Sequence, residues 1–298
     1  MDDLEQGQKT IQARQAARTA QAVAAASAIA TAHGLRVEDP RVLAQGYAVR
    51  VHLHPAPVVA RVSTITALLR APIEPWLARE LEVAAFLARR GAPVVPPSDA
   101  LPPGPHHHDG LSVSFWRHVQ PASHDVPESA VAGRMLAELH TALRDYPGTL
   151  PLLAPPLSDI PRGLERLERA GNILPADDIA LLRARYEQLL PRLSPSALGP
   201  VQPIHGDAHV HNLIAVSDGW LWNDFEDACL GPVAWDLASL DNDGEALASY
   251  PDPPDPESIT VFRDVRLLHG IIWVYALLPE FPDWSQHVAP MLERLRDG

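Results

Sequence analysis

From about Gln6 to His33 the chain runs through Ala, Gln and Arg, all strong helix formers, and His33-Gly34 supplies a stop, which predicts a long opening helix. Short apolar runs with strand character follow: RVLAQGYAVRVHL and, after the turn HPAP, PVVARVSTI. Between Ile73 and Gly91 the spacing turns helical, with Pro75 in the first turn and Gly91 at the end. A proline-rich connection containing His106, His107 and His108 reads as a solvated turn, and Leu111–Val119 reads as another strand. Beyond it, helical periods cover Glu128–Arg144, Asp159–Ala170 and Ala176–Leu193. The pattern breaks into short runs, IHGD, NLIAV and GWLWND, across Val201–Asn223. Helices resume at Val233–Leu240, Glu257–Leu278 and Trp284–Arg296. The order predicts an α+β protein with a small β-rich lobe followed by a larger, mainly helical one.

Composition narrows the function. The 298 residues carry 46% hydrophobic and 20% charged side chains, an ordinary globular balance with enough chain for a sizeable core. A formal net charge of −13 disfavours an extended nucleic-acid footprint, which needs a basic face. The single cysteine, Cys229, excludes an intramolecular disulfide and a cysteine-based zinc cage. No apolar run reaches the roughly 18–20 residues of a membrane helix. Ala22–Ala32 is alanine-rich and preceded by Asp2, Asp3 and Glu5, which argues against a secretory leader and predicts a cytoplasmic protein.

The candidate chemistry is concentrated in HGDAHVHN, His205 to Asn212, and in DFED, Asp224 to Asp227. One reading is a metal-dependent hydrolase using His205, His209 and His211, with Asp207 and Asp224 as further ligands. Gly206 and the strand-like flanks speak against the helix that would align His205 with His209. The other reading is phosphoryl transfer. That chemistry needs a carboxylate to orient an acceptor hydroxyl, and oxygen ligands for Mg²⁺, which prefers carboxylate, amide and phosphate oxygens to imidazole. A loop H-x-D-x-x-x-x-N followed by D-F-x supplies both, and His205, Asp207, Asn212 and Asp224-Phe225 occur in that order and spacing.

These loops, with DFEDACLGPVAWDLASL, resemble the signature segments of the aminoglycoside phosphotransferase and choline kinase-like family. The resemblance extends over most of the chain after about residue 37. It implies a bilobal protein-kinase-like fold, an antiparallel sheet in the small lobe, ATP or GTP as donor, Mg²⁺, and a small-molecule hydroxyl as acceptor. By position, Asp207 resembles the catalytic base and Asn212 and Asp224 the Mg²⁺ ligands. His205 would organise the loop, Glu226 would support it or the metal, and Asp236 would support the loop from the start of the next helix. The implied domains are an N-terminal helical extension (1–36), a nucleotide-binding lobe (37–118) and a catalytic and acceptor-binding lobe (119–298).

The resemblance also aligns Arg61, on the strand VVARVS, with the family's phosphate-gripping lysine, and Glu80 with its usual helix partner; Glu82 falls on another face. Guanidinium is larger and forked, so its reach differs from that of an ammonium. AQGYAVRV has only Gly46 where a phosphate-covering loop is expected, a plain turn rather than a glycine-rich cradle. Both departures motivate an alternative, a nucleotide-poor, non-catalytic binding protein on the same fold. For the acceptor, Asp241, Asp243, Glu245 and the carboxylates of Asp252–Glu257 would favour a cation such as an amino sugar or choline, with Trp273 and Tyr275 as candidate aromatic walls.

Overall fold

The computed structural model describes the backbone of residues 2–297 and the side chains of residues 9–296. Met1 and Gly298, the outermost residues of the expected domains, and the side chains of Asp2, Asp3 and Glu5 lie outside the described residues. In chain order the elements are α1 (Asp2–Ala32), β1 (Val37–Ala44), β2 (Ala48–Pro55), β3 (Val58–Ser63), α2 (Glu74–Arg89), β4 (His106–His108) and β5 (Leu111–Arg117). They continue with α3 (Ser129–Leu143), α4 (Ile160–Ala170), α5 (Ala176–Leu189), β6 (Gln202–Ile204), β7 (Leu213–Val216), β8 (Gly219–Trp222) and β9 (Cys229–Gly231). The chain closes with α6 (Val233–Leu240), α7 (Glu245–Ala248), α8 (Pro256–Leu277) and α9 (Ser285–Asp297). Two compact units result: the first takes residues up to Ala85 and Val95–Gln120, the second Phe86–Val94 and everything from Pro121.

In the first unit an antiparallel sheet runs in the order β1-β2-β3-β5-β4. Alternation along each strand gives it two faces. Val49, Val51, Leu53, Val58, Ala60, Val62, Val113 and Phe115 form one face and are buried against Ala22, Ala26, Ile29 and Ala30 of α1. Alanine on the helix lets it approach closely, so α1 contributes to the core of this unit. Arg61, between Ala60 and Val62, therefore projects to the opposite face, where Glu80 of α2 meets it. Helix α2 ends where Gly91, at φ +75, lets Ala92 N–H reach back to Leu87 O at 3.1 Å.

The histidine tract departs from expectation. His106–His108 is a strand, not a solvated turn, pairing with β5 through His106↔Val113, His107↔Ser112 and His108↔Leu111. The physical reason is Asp109-Gly110, whose φ values of 47 and 76 make a two-residue hairpin turn of the kind Asp-Gly favours.

The second unit is helical around two small antiparallel pairs, β6-β9 and β7-β8. Helices α3, α4, α6 and α8 bury Leu136, Leu139, Leu164, Leu167, Trp235, Leu237, Val265, Leu268, Ile271 and Ile272. Asp255 caps α8, accepting the N–H of Glu257 (3.0 Å) and Ser258 (3.2 Å) ahead of Pro256 in the first turn. Among the described residues, no helix is long and apolar enough to cross a membrane.

Candidate active site

Between β6 and β7 the chain makes a sharp loop at His205-Gly206-Asp207, and a single carboxylate shapes it. Asp236, in the first turn of α6 and fully buried, accepts the backbone N–H of His205 through Oδ2 (2.8 Å) and that of Gly206 through Oδ1 (2.9 Å). Oδ2 also accepts His140 Nε2–H at 2.9 Å, and His140 Nδ1 takes the hydroxyl of Tyr250 at 2.9 Å. Burial works to push the Asp236 carboxyl up, but the hydrogen bond from His140, with the charge of Arg266 nearby, holds it below its ordinary value. Burial raises the Tyr250 phenol to about 12, which keeps it a hydrogen-bond donor. A charge in such surroundings persists because both of its oxygens accept hydrogen bonds.

Gly206 is required here. Its φ is +87, and an added Cβ would collide with the backbone carbonyl of Asp227. Its own carbonyl accepts Trp235 Nε1–H (2.6 Å) and an Arg266 N–H (3.0 Å).

His205 is fully buried and turned inward, its ring 4.6 Å from that of Phe225 and 5.3 Å from that of Trp222. Nε2–H donates to Asn223 O at 3.0 Å and Nδ1 accepts Asp207 N–H at 3.3 Å, which assigns the tautomer. Burial lowers its pKa, so the ring stays neutral. Both nitrogens are therefore used within the loop, which removes His205 from any metal centre. His209 and His211 stand 5.8 Å apart, ring to ring, and among the described residues no three His, Cys, Asp or Glu side chains gather as a metal cluster. The hydrolase reading loses its ligand set for that reason.

Asp207 keeps its side chain 38% exposed, open to a ligand, while Arg266, which faces one of its oxygens, is only 16% exposed. Oδ1 lies 3.4 Å from Arg266 Nη1 and Oδ2 lies 3.4 Å from His209 Nε2. Withdrawal from water acts to raise this carboxyl, but the His209 hydrogen bond and the Arg266 guanidinium outweigh it and hold it well below the usual carboxylate range. Burial would depress His209; the hydrogen bond it donates to Asp207 and the charge of that carboxylate reverse that and raise it. Asn212 donates Nδ2–H to Asp207 O at 2.9 Å, so its amide oxygen is the end that can accept a cation. Its carbonyl takes both the backbone N–H (3.0 Å) and the side-chain N–H (2.9 Å) of Asn223, tying the loop to the DFE turn. Asp224 follows directly in the left-handed region, φ +66 and ψ +56, a conformation aspartate tolerates but does not favour. Glu226 shares that 3₁₀ turn and is half-buried. Asp207, Asn212, His205 and Asp236 thus form one bonded network, with the Asp224 turn tied to it.

Arg61 and Glu80 belong to the first unit. Nη1 of Arg61 meets Oε2 of Glu80 at 3.2 Å, with both side chains buried, while Glu82 is exposed. The turn at Gly46 is pinned rather than open, because Tyr47 O accepts the N–H of Ile65 (2.9 Å) and Thr66 (3.1 Å).

Two of the carboxylates expected near an acceptor have partners within the second unit. Asp241, buried, pairs with Arg263 at 2.9 Å and takes Leu247 N–H; Asp243 accepts the Ser129 hydroxyl at 2.7 Å. Tyr275 is buried, and Trp273 sits edge-on to His269. The residues sequence reasoning missed are His140, Tyr250, Asn223, Trp235 and Arg266. Trp235 and Arg266 reach the loop across tens of residues, His140 and Tyr250 act through Asp236, and Asn223 bonds through backbone and amide groups that no sequence pattern marks.

Among the solved structures that this chain resembles are kinases named for small molecules. An amicoumacin kinase, hAmiN, solved with AMP-PNP, Ca²⁺ and Ami, is 14% identical over 88% of this chain and 90% of its own, with a TM-score of 0.63. A microcompartment-associated aminopropanol kinase is 18% identical over 90% and 93%, TM-score 0.62. The choline kinase LicA from Streptococcus pneumoniae is 16% identical over 91% and 95%, TM-score 0.62. The chain has their protein-kinase-like fold. Among curated proteins none matches its sequence. The model of the phosphotransferase enzyme family (APH) matches residues 68–256, which is well over half of the chain and includes both loops, and the chain belongs to that family.

Proposed function

We propose that this protein transfers the γ-phosphoryl group of ATP or GTP to a hydroxyl of a small molecule, with Asp207 receiving that hydroxyl. The observation that carries the reading is a partly exposed carboxylate, Asp207, directly after His205 and Gly206, whose backbone is held by Asp236. Phosphoryl transfer passes through a loose transition state, so the protein's work is chiefly positioning and charge stabilisation. Asp207 fits that division. A carboxyl held so low is a weak base, so it orients the hydroxyl through most of the reaction and takes the proton late.

The donors at Asn212 and Asp224 are amide and carboxylate oxygens, which suits Mg²⁺ rather than zinc. When bound there, Mg²⁺ would neutralise charge on the phosphates. Arg61, oriented by Glu80, would grip phosphate oxygens with its fork. The nucleotide analogue and divalent ion in hAmiN support the donor side of this assignment. Aminopropanol and choline, named for two of the similar kinases, make amino alcohols the first acceptors to screen.

The test is calorimetric titration of ATP and GTP, with and without Mg²⁺, into wild type and Asp224→Asn. Mg²⁺-dependent binding that disappears in the variant is the expected result, and it also names the donor. Folded protein that binds neither nucleotide would overturn the proposal and favour a non-catalytic binding protein.

A further inference from the structure

We propose that Arg266, on α8, is a positioning residue for Asp207: it holds one carboxylate oxygen so that the other faces the acceptor hydroxyl. The inference rests on Asp207 being the residue that receives that hydroxyl. Arg266 lies beyond residues 68–256, the stretch matched by the family model. Its side chain is only 16% exposed, and each arm of the guanidinium has a separate task. Nε–H donates to Trp235 O at 3.0 Å and Nη2–H to Gly206 O at 3.0 Å. The guanidinium Cζ lies 4.1 Å from the Trp235 ring centre, close enough for a cation–π contact. Those three contacts fix the group against α6 and the loop, and Nη1 is then aimed at Asp207 Oδ1 at 3.4 Å.

That distance decides the role. At 3.4 Å the contact is an electrostatic tether rather than a full hydrogen bond. Asp207 therefore keeps its capacity to accept a hydrogen bond from a ligand, yet one oxygen is held towards the guanidinium. His209 approaches the other oxygen from the exposed side, and a hydroxyl arriving there would take its place as donor. A lysine could not reproduce this, because an ammonium lacks the fork that spans two carbonyls and a carboxylate together. If Arg266 served only to join α8 to the loop, its two bonds to backbone carbonyls would suffice and Asp207 would function without it.

The experiment measures phosphate release from Mg²⁺-ATP and Mg²⁺-GTP with water as acceptor, for wild type, Arg266→Lys, Arg266→Gln, Arg266→Ala and Asp207→Asn. Nucleotide affinity is measured on the same samples by calorimetry. A misplaced reacting group costs roughly 100-fold, so Arg266→Gln is expected to lose about that much kcat, with Arg266→Lys between it and wild type. Nucleotide KM and affinity stay at wild-type values. Added methylguanidinium raises the kcat of Arg266→Ala and does nothing for Asp207→Asn. Should Arg266→Ala not fold, Arg266→Lys, which keeps a cation over Trp235, carries the test through its split between kcat and KM. Wild-type kcat in Arg266→Gln or Arg266→Lys overturns the inference, as does a kcat loss matched by lost nucleotide affinity. Asp207→Asn turning over at the wild-type rate, or a wild type that hydrolyses neither nucleotide, instead fails the reading of Asp207 itself and the inference with it.

Discussion

Asp236 holds His205 not by its ring but by its backbone N–H, at 2.8 Å, and the same carboxylate holds the N–H of Gly206 at 2.9 Å. A side chain thirty residues downstream thereby sets the path of the loop that presents Asp207. Because Asp236 is fully buried and paired with His140, removing it leaves two backbone donors and an imidazole without their acceptor. Breaking a buried pair in this way costs about 3–5 kcal/mol. Asp236→Ala is expected to lose that much in urea denaturation, together with all phosphoryl transfer. A midpoint near wild type would show that the loop holds its course by other means.

Two glycines should respond in opposite ways. Gly206→Ala places a methyl group against the carbonyl of Asp227 at a left-handed φ, so the loop must move. The conformational term alone is roughly 1–2 kcal/mol, and the collision adds to it. Gly46→Ala meets nothing within 4 Å and needs no unusual φ. Its effect should stay within about 0.5 kcal/mol. Thermal melts and nucleotide titrations of both variants check the pair, and a large loss at Gly46 would show that its turn must move to admit phosphate.

The Arg61–Glu80 pair is expected to matter twice. Glu80→Ala leaves a buried guanidinium without its carboxylate and should destabilise the protein by about 3–5 kcal/mol. Arg61→Ala should weaken nucleotide binding by about 1.5–3 kcal/mol, the usual worth of a hydrogen bond to a charged group. Arg61→Lys should lose less, since the charge remains. Calorimetry with Mg²⁺-ATP and Mg²⁺-GTP reads both variants; unchanged affinity in Arg61→Ala would confine this residue to a structural task.

A pH effect is expected in the first unit. His52 and His118 stack 3.8 Å apart at an angle of 3°. Burial lowers His52 from its ordinary 6.5, His54 and Arg41 add repulsion, and the bond to Ala56 O only partly offsets them. Burial, then the charge of His52, lowers His118 in the same way. The unfolded chain thus binds more protons than the folded one below about pH 6.5. The stack's contribution is full above that value and is lost as the pH falls from it towards the lowered folded values. Melting curves between roughly pH 5 and 7.5 should slope less steeply for His118→Phe than for wild type. Equal slopes would mean that the stack is not linked to folding.

Periodicity and local chemistry carried the sequence a long way. Helix α6 falls at Val233–Leu240 as its spacing predicts, and the α1, α2, α8 and α9 boundaries lie within a few residues of expectation, because helix formers, Pro75 and Gly91 act on their own turns. The loop residues His205, Asp207 and Asn212 were legible for the same reason, since one short stretch of chain holds all three. The hairpin at Asp109-Gly110 was legible in principle too, but three histidines beside prolines read as a turn. Tertiary packing alone decided the rest. It chose Asp236 to bind His205 and Gly206, His140 to bind Asp236, and Arg266 to reach Asp207 across 59 residues of sequence. It also engaged Asp241 with Arg263 and made Asp255 a helix cap, although both had read as acceptor groups. A backbone pattern reports which face of an element is apolar, but a polar side chain's partner depends on which distant element packs against that face, and no local pattern records that choice.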